Sequence, residues 1–147
     1  MIRRATQADI PALVELGRQE HAGSFMASTP FDANHVALNF AQLIGGFHGV
    51  VFVSCDTADT PTGVIAGMAQ PNLHNRYSTV YELMWFATDG AGIKLLDALK
   101  TWANRMRATR MVVHNYAGQV APEKFTRAMG RKGLMPLGMA YTIQLEN

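Results

Sequence analysis

The chain has 147 residues, of which 48% are apolar and 16% charged, with a net charge of +2. That length and balance suit one globular domain with a real core. No run reaches eighteen apolar residues, so a membrane span is not expected. The single cysteine, Cys55, excludes an internal disulfide and suits a reducing, cytoplasmic setting. The opening MIRRATQADI alternates polar and apolar residues and carries no apolar core of a signal peptide, so no secretion signal is expected.

The elements read as follows in chain order. Met1–Ala5 forms a short strand. Thr6 and Asp9 make a T-x-x-D capping box, and Ala8–Glu20 continues as an amphipathic helix through Ile10, Leu13, Val14 and Leu16. Gly23–Pro30 is a loop. Asp32 or Asn34 caps a second helix that carries Val36, Leu38, Phe40, Leu43 and Ile44 and stops at Gly45–Gly46. Gly49–Cys55 is a buried strand, Asp56–Thr62 a turn and Gly63–Gln70 a second strand, together a hairpin. Cys55 ends the first of these strands as a small packing residue. Thr79–Ala87 is a long strand rich in Val, Tyr, Trp and Phe. Thr88–Gly92 turns into the helix Ile93–Met106, and Thr109–Asn115 is a strand again. Pro122–Lys132 is a helix, and Leu134–Gly138 and Tyr141–Leu145 are extended. Adjacent strands in the first half predict antiparallel pairing. The strand–helix–strand unit from Thr79 to Asn115 requires a parallel crossover. An α/β fold with a mixed sheet and helices on both faces follows.

The segment YELMWFATDGAGIKLLDALKTWA holds the strongest signal. A strand runs through a glycine turn into a helix, which aims free amides and the positive helix end at one point, a place for phosphate. Gly90 and Gly92 would let a ligand approach the backbone.

The element order of nearly the whole chain resembles the GNAT N-acetyltransferase superfamily. IRRATQADIPALVEL is similar to its opening strand and helix, and YELMWFATDGAGIKLLDAL to its acyl-CoA strand, pyrophosphate loop and helix. VVHNYAG is similar to the next strand, and APEKFTRAMGRKGLMPLG to the last helix and its ending. The resemblance implies a single domain over residues 1–147, built on a mixed central sheet of about six or seven strands flanked by about four helices. It implies acetyl-CoA as acyl donor and direct attack by an amine of a small molecule or peptide, with a backbone N–H of the splayed strand facing the oxyanion. Trp85, Phe86 and Ala87 would present backbone groups to the pantetheine and thioester. Asp89, Gly90, Ala91, Gly92, Ile93 and Lys94 would surround the pyrophosphate, and Asn115 would lie near the pantetheine arm. Two departures stand out. The loop is about two residues short and lacks the family's arginine, with Asp89 placing a negative charge there and Lys94 the cation that could offset it. Met129 stands where the family often has a proton-donating tyrosine, and methionine has no proton to give. A non-catalytic relative that binds acyl-CoA or a protein partner is the alternative.

Glu82, three residues before Trp85, is a candidate base for the incoming ammonium, or else an exposed strand residue or the ion-pair partner of a nearby arginine. Strict alternation puts Tyr81 and Trp85 on one face of the strand and Glu82, Met84 and Phe86 on the other. His114 could act as acid or base, or hold structure. Tyr116 could replace the missing tyrosine as thiolate donor. Phe25, Met26 and Phe31 could wall an acceptor pocket or belong to the core. His21, His35, His48 and His74 show no metal-ligand spacing, so no metal is expected. Basic clusters at Arg105–Arg110 and Lys124–Lys132 fit helix faces in water, cofactor phosphates or nucleic acid. Nucleic acid fits least, because no strand interleaves aromatic and basic residues. A homodimer through the apolar residues near Tyr141–Leu145 is open.

Overall fold

A computed structural model describes residues 1–114 and 122–137. The chain divides into two compact units, Met1–His114 and Asn115–Asn147. The expected extended segment Tyr141–Leu145 and the residues Asn115 and Tyr116 lie outside the described residues. No helix among the described residues is long and apolar enough to cross a membrane.

The first unit is a five-stranded sheet in the order β1(Ile2–Arg4), β2(Gly49–Cys55), β3(Pro61–Pro71), β4(Ser78–Ala87) and β5(Ala108–Val112). The first three pairings are antiparallel and β4–β5 is parallel, as the short turns and the long crossover predicted. The helices are α1(Ile10–Gly23), α2(Ala33–Gly45) and α3(Gly92–Arg105). In the second unit, α4(Pro122–Arg131) is the helix among the described residues, and 134–137 do not form a strand. Five strands are therefore present among the described residues, fewer than the six or seven expected.

Local chemistry explains the helix starts. The Thr6 amide and hydroxyl both donate to Asp9 Oδ2, at 2.7 and 3.0 Å, and a short 3₁₀ turn, Gln7–Asp9, leads into α1. Asp32, not Asn34, caps α2 by accepting from the His35 amide at 3.0 Å. Leu38 is exposed and stands apart from the apolar face that the spacing suggested for α2.

Alternate residues of the sheet feed two layers. Val51, Val53, Cys55, Val64 and Ala66 pack with Leu13 and Leu16 of α1 and Phe40 of α2, and Met84 and Phe86 of β4 join them. On the other face Leu95, Leu96 and Leu99 of α3 are fully buried. A Cβ at Gly67 would fall 2.6 Å from Leu99 Cδ1, so the missing side chain lets α3 lie against β3. Burial pushes the Cys55 thiol pKa upward, which suits a packing residue and not a nucleophile.

Candidate active site

β4 is the strand on which the site is built. Along β3 its register changes between Ala66 and Gly67: Ala66 opposes Met84, whereas Gly67 opposes Glu82. Leu83 is the extra residue of a β-bulge. The expected grouping of Glu82 with Met84 and Phe86 is therefore overturned. Ala66 and Gly67 point to opposite faces, so their partners Met84 and Glu82 do too. Met84 and Phe86 line the α1–α2 core, while Glu82 lies opposite Gly67 on the α3 face. A single-residue insertion leaves no mark in a run such as TVYELMWFA, although a carboxylate inside that apolar run does hint at an irregular place.

On its other edge β4 pairs with β5 over Ser78–Tyr81 only. No described strand covers that edge from Glu82 to Ala87. Where the two strands part, the Glu82 carboxylate takes the place of a ladder carbonyl. The His114 amide donates to its Oε2 at 2.9 Å. The His114 ring lies alongside, with Nδ1 3.2 Å from the Glu82 carbonyl oxygen and 3.6 Å from Oε2. Glu82 is buried, at 2% exposure, so it is not an exposed strand residue, and its partner among the described residues is His114 and not an arginine. Burial raises its pKa above the ordinary carboxylate value. The His114 amide opposes that shift, and the negative charge of Glu20 on α1 adds to it. Burial likewise raises Glu20.

Beyond Ala87 the chain bends into α3. Gly90 takes φ +74°, a conformation that suits glycine. A Cβ at Gly90 would meet open space, whereas one at Gly92 would approach the Trp85 indole nitrogen at 3.4 Å. That nitrogen donates to the Gly92 carbonyl at 3.0 Å, so Gly92 serves close packing of Trp85 on the first helical turn. Asp89 holds the bend. Its Oδ1 accepts from the Ala91 amide at 2.9 Å and its Oδ2 from the Thr62 hydroxyl at 2.8 Å. Burial works against the Asp89 charge, but these bonds outweigh it and its pKa is lowered. Ala91, the N-cap residue of α3, makes no side-chain cap bond, and no other side chain among the described residues supplies one. One amide of the turn is thus taken by Asp89, and the first turn that begins at Gly92 presents its N–H groups without a side-chain cap.

The loop after α1 forms a 3₁₀ turn, Phe25–Ser28, in which Ser24 accepts from the Met26 amide. Phe25 and Met26 are exposed, so they are not core residues. Phe31 packs edge-on to His21 with centroids 5.4 Å apart, and the Arg18 guanidinium sits 4.6 Å from its ring centre. Phe31 and Met84 both reach the space beside Gly17, which brings this loop toward β4. Among the described residues no group of three or more His, Cys, Asp or Glu could hold a metal ion. Arg105, Arg107 and Arg110 are exposed, as are Lys124, Arg127 and Arg131, which share an open groove along α4.

The described residues thus bring together Glu82, Trp85, Phe86, Ala87 and Asp89–Lys94 along one strand and the turn that follows it. No family model matches the sequence, and no curated protein matches it. Solved structures do match. A probable acetyltransferase superposes with a TM-score of 0.77 at 14% identity, covering 100% of this chain and 99% of that one. Glucosamine-6-phosphate N-acetyltransferase from Arabidopsis thaliana gives 0.75 at 12% identity, with 99% and 98% covered. An aminoglycoside acetyltransferase from an uncultured soil metagenomic sample, in complex with sisomicin, gives 0.72 at 16% identity, with 99% and 96% covered. The fold is that of the GNAT acetyltransferases. In the GNAT fold of this chain, the bulged β4 and the turn into α3 are the parts that the resemblance assigned to the acyl donor.

Proposed function

We propose that this chain is an acyltransferase that moves the acetyl group of acetyl-CoA to a primary amine of a small molecule or peptide by direct attack. The observation that carries this reading is the pairing of β4. It leaves β5 after Tyr81, runs on to Ala87 with one edge uncovered by any described strand, and feeds the uncapped first turn of α3. Backbone groups of Trp85, Phe86 and Ala87 on that edge suit an extended amide-bearing chain such as pantetheine. A backbone N–H there suits the oxyanion of the tetrahedral adduct. The turn Asp89–Lys94 suits a pyrophosphate, with its amides, the helix dipole and Lys94 as the attracting groups. Asn115 is assigned to the pantetheine arm and Tyr116 to protonation of the departing thiolate, a step that Met129 cannot perform. Glu82 supplies the carboxylate of the acid–base step. The fold neighbours act on glucosamine-6-phosphate and aminoglycosides by name, and both acceptors carry amines.

Thermal unfolding with acetyl-CoA and with free CoA tests the reading. At a tenfold excess over the dissociation constant, stability rises by about 1.4 kcal/mol. Release of free thiol across a panel of amines then reports turnover. No shift at millimolar acetyl-CoA overturns the proposal.

One observation favours a second reading, in which the protein binds an acyl-CoA or a protein partner without turnover. Asp89 already occupies the Ala91 amide and brings a negative charge to the phosphate position. Binding of acetyl-CoA without thiol release for any amine supports that reading.

A further inference from the structure

We propose that the end of the sheet opposite the turn into α3 is a docking surface for an anionic lipid bilayer. Phe47 and Leu73 enter the interface there, and Arg76, Arg107 and Arg110 meet the headgroups. Three connections converge at this end. The link from α2 to β2 (46–48) is tied to β3, because the Ala69 amide donates to the His48 carbonyl at 2.7 Å. The loop from β3 to β4 (72–77) closes where Pro71 opposes Ser78, and Ser78 pairs in turn with Ala108 at the start of β5. The link from α3 to β5 (106–107) completes the row. From β2 to β5 it crosses three strand spacings, about 14 Å. The ten residues of β4 separate it from Ala87 by about 30 Å, so it is distinct from the candidate active site.

These connections carry cations and no acidic residue. They read GFH over 46–48, NLHNRY over 72–77 and RMRATR over 105–110. Arg76, Arg105, Arg107 and Arg110 are exposed, and none forms an ion pair among the described residues. A helix end attracts a cation, which accounts for Arg105 in the last turn of α3. Arg107 follows at φ +55°, where glycine is least strained, so an arginine stands there at a cost in backbone energy.

The apolar side chains complete the surface. Phe47 and Leu73 are the two most exposed large apolar residues among the described ones, at 93% and 92%. Each sits on a braced tip. A Cβ at Gly49 would fall 2.8 Å from the Leu43 backbone, so the glycine lets β2 start close against α2, just past Phe47. In the other loop the Asn72 amide donates to the Tyr77 carbonyl at 2.8 Å, and Asn75 Oδ1 accepts from Asn72 Nδ2 and from the Tyr77 amide. Leu73 is held outward between these bonds. An aliphatic tip cannot stack on bases as an aromatic ring does, but it suits acyl chains. Apolar groups at the acyl boundary with cations at headgroup level form an interfacial contact. No helix among the described residues could cross a bilayer, so the contact is peripheral.

Co-sedimentation of the full chain with vesicles tests this. Partition onto phosphatidylcholine containing about a third phosphatidylserine is expected, about tenfold stronger than onto phosphatidylcholine alone, and lost as salt rises from about 0.1 to about 1 M. Arg76→Gln and Arg107→Gly should each lower it about fivefold. Phe47→Ser and Leu73→Ser should each lower it about tenfold. All four positions are exposed, so the melting temperatures should hold, and Arg107→Gly should keep or raise its own. Lys124→Gln with Arg127→Gln removes charge on α4 and should leave partition unchanged. Equal loss in that control assigns binding to net charge and overturns the surface. Wild-type partition in both serine variants overturns the insertion of the tips. Absence of wild-type partition onto the anionic vesicles overturns the proposal; retention of a single-stranded oligonucleotide in its place assigns this end to nucleic acid. None of these outcomes touches the transferase reading, which the acetyl-CoA thermal shift tests separately.

Discussion

Asp9 and Glu82 are both buried, at 7% and 2% exposure, yet their surroundings push their acidities in opposite directions. Asp9 meets a guanidinium. Arg3 Nη1 and Nη2 donate to its two oxygens at 2.8 and 2.9 Å, and Arg3 Nε donates to Asp59 at 2.9 Å. The Arg3 bonds hold the Asp9 carboxyl down at about 2 against desolvation, and the Thr6 bonds assist. Glu82 meets a main-chain amide and an imidazole, and burial raises it. The first arrangement is electrostatically complete and ties the opening strand to α1. The second keeps a carboxylate that meets no lysine or arginine among the described residues, where two strands diverge. A charge compensated within the fold holds structure; a charge left to be compensated by something else is available for chemistry.

The largest expected effect lies at the complete pair. Asp9→Ala leaves Arg3 facing only Asp59 and removes the acceptor of the Thr6 amide, at a cost of about 3 kcal/mol in urea unfolding. Asp9→Asn isolates the charge. The folded value of about 2 lies below the ordinary 3.8, so this contribution is complete above the ordinary value. It is lost as pH falls through about 2. The wild type should exceed Asp9→Asn by about 2 kcal/mol at neutral pH, and the gap should close in acid. Equal stability of the two proteins at neutral pH would show that the pair is idle.

The sign reverses at Glu82. Its folded value is raised, so the wild type is most stable where the carboxylate is protonated and loses stability as pH rises through that value. Glu82→Gln keeps the acceptor for the His114 amide and removes the penalty. It should match the wild type or exceed it by about 1 kcal/mol near neutral pH, with a margin that widens from acid to alkali in thermal unfolding. A loss of stability on that substitution would class Glu82 with Asp9, as a structural residue.

Much of this frame is legible in the residues. T-x-x-D announces the start of the first helix, Asp32 the second, and the β-branched run Gly49–Cys55 coincides with β2 to the residue. Periodicity and capping are local, so they survive in one dimension. The bulge at Leu83 is not legible, because it is a matter of register against β3, and every β4 residue after it changes face relative to Glu82. The Arg3–Asp9–Asp59 cluster joins residues 56 positions apart, and nothing near Arg3 names its distant partner. Asp89 reads in the sequence as a charge in a phosphate loop; its second role as a cap is available in the D-G-A spelling of an Asx turn. His114 is visible only as a histidine at a strand end, since its meaning comes from a carboxylate 32 residues earlier.

The smallest expected effect lies at Asp89, between the two cases. Among the described residues its charge is met by an amide and a hydroxyl and by no cation. If a pyrophosphate settles on this bend, Asp89 both holds an amide that the phosphate could use and repels it. Asp89→Asn removes the repulsion and keeps an acceptor for Ala91; Asp89→Ala removes both. Titration calorimetry with CoA should show affinity rising about threefold in the first and slightly more in the second, with the gain shrinking at high salt, because screened charges at the surface interact weakly. Equal gains in the two variants assign the effect to charge. A gain confined to Asp89→Ala assigns it to the released amide. Unchanged affinity in both would mean that the phosphates do not sit at this bend at all, and the reading of Asp89–Lys94 as their cradle would fall while the Glu82–His114 pair stood untouched.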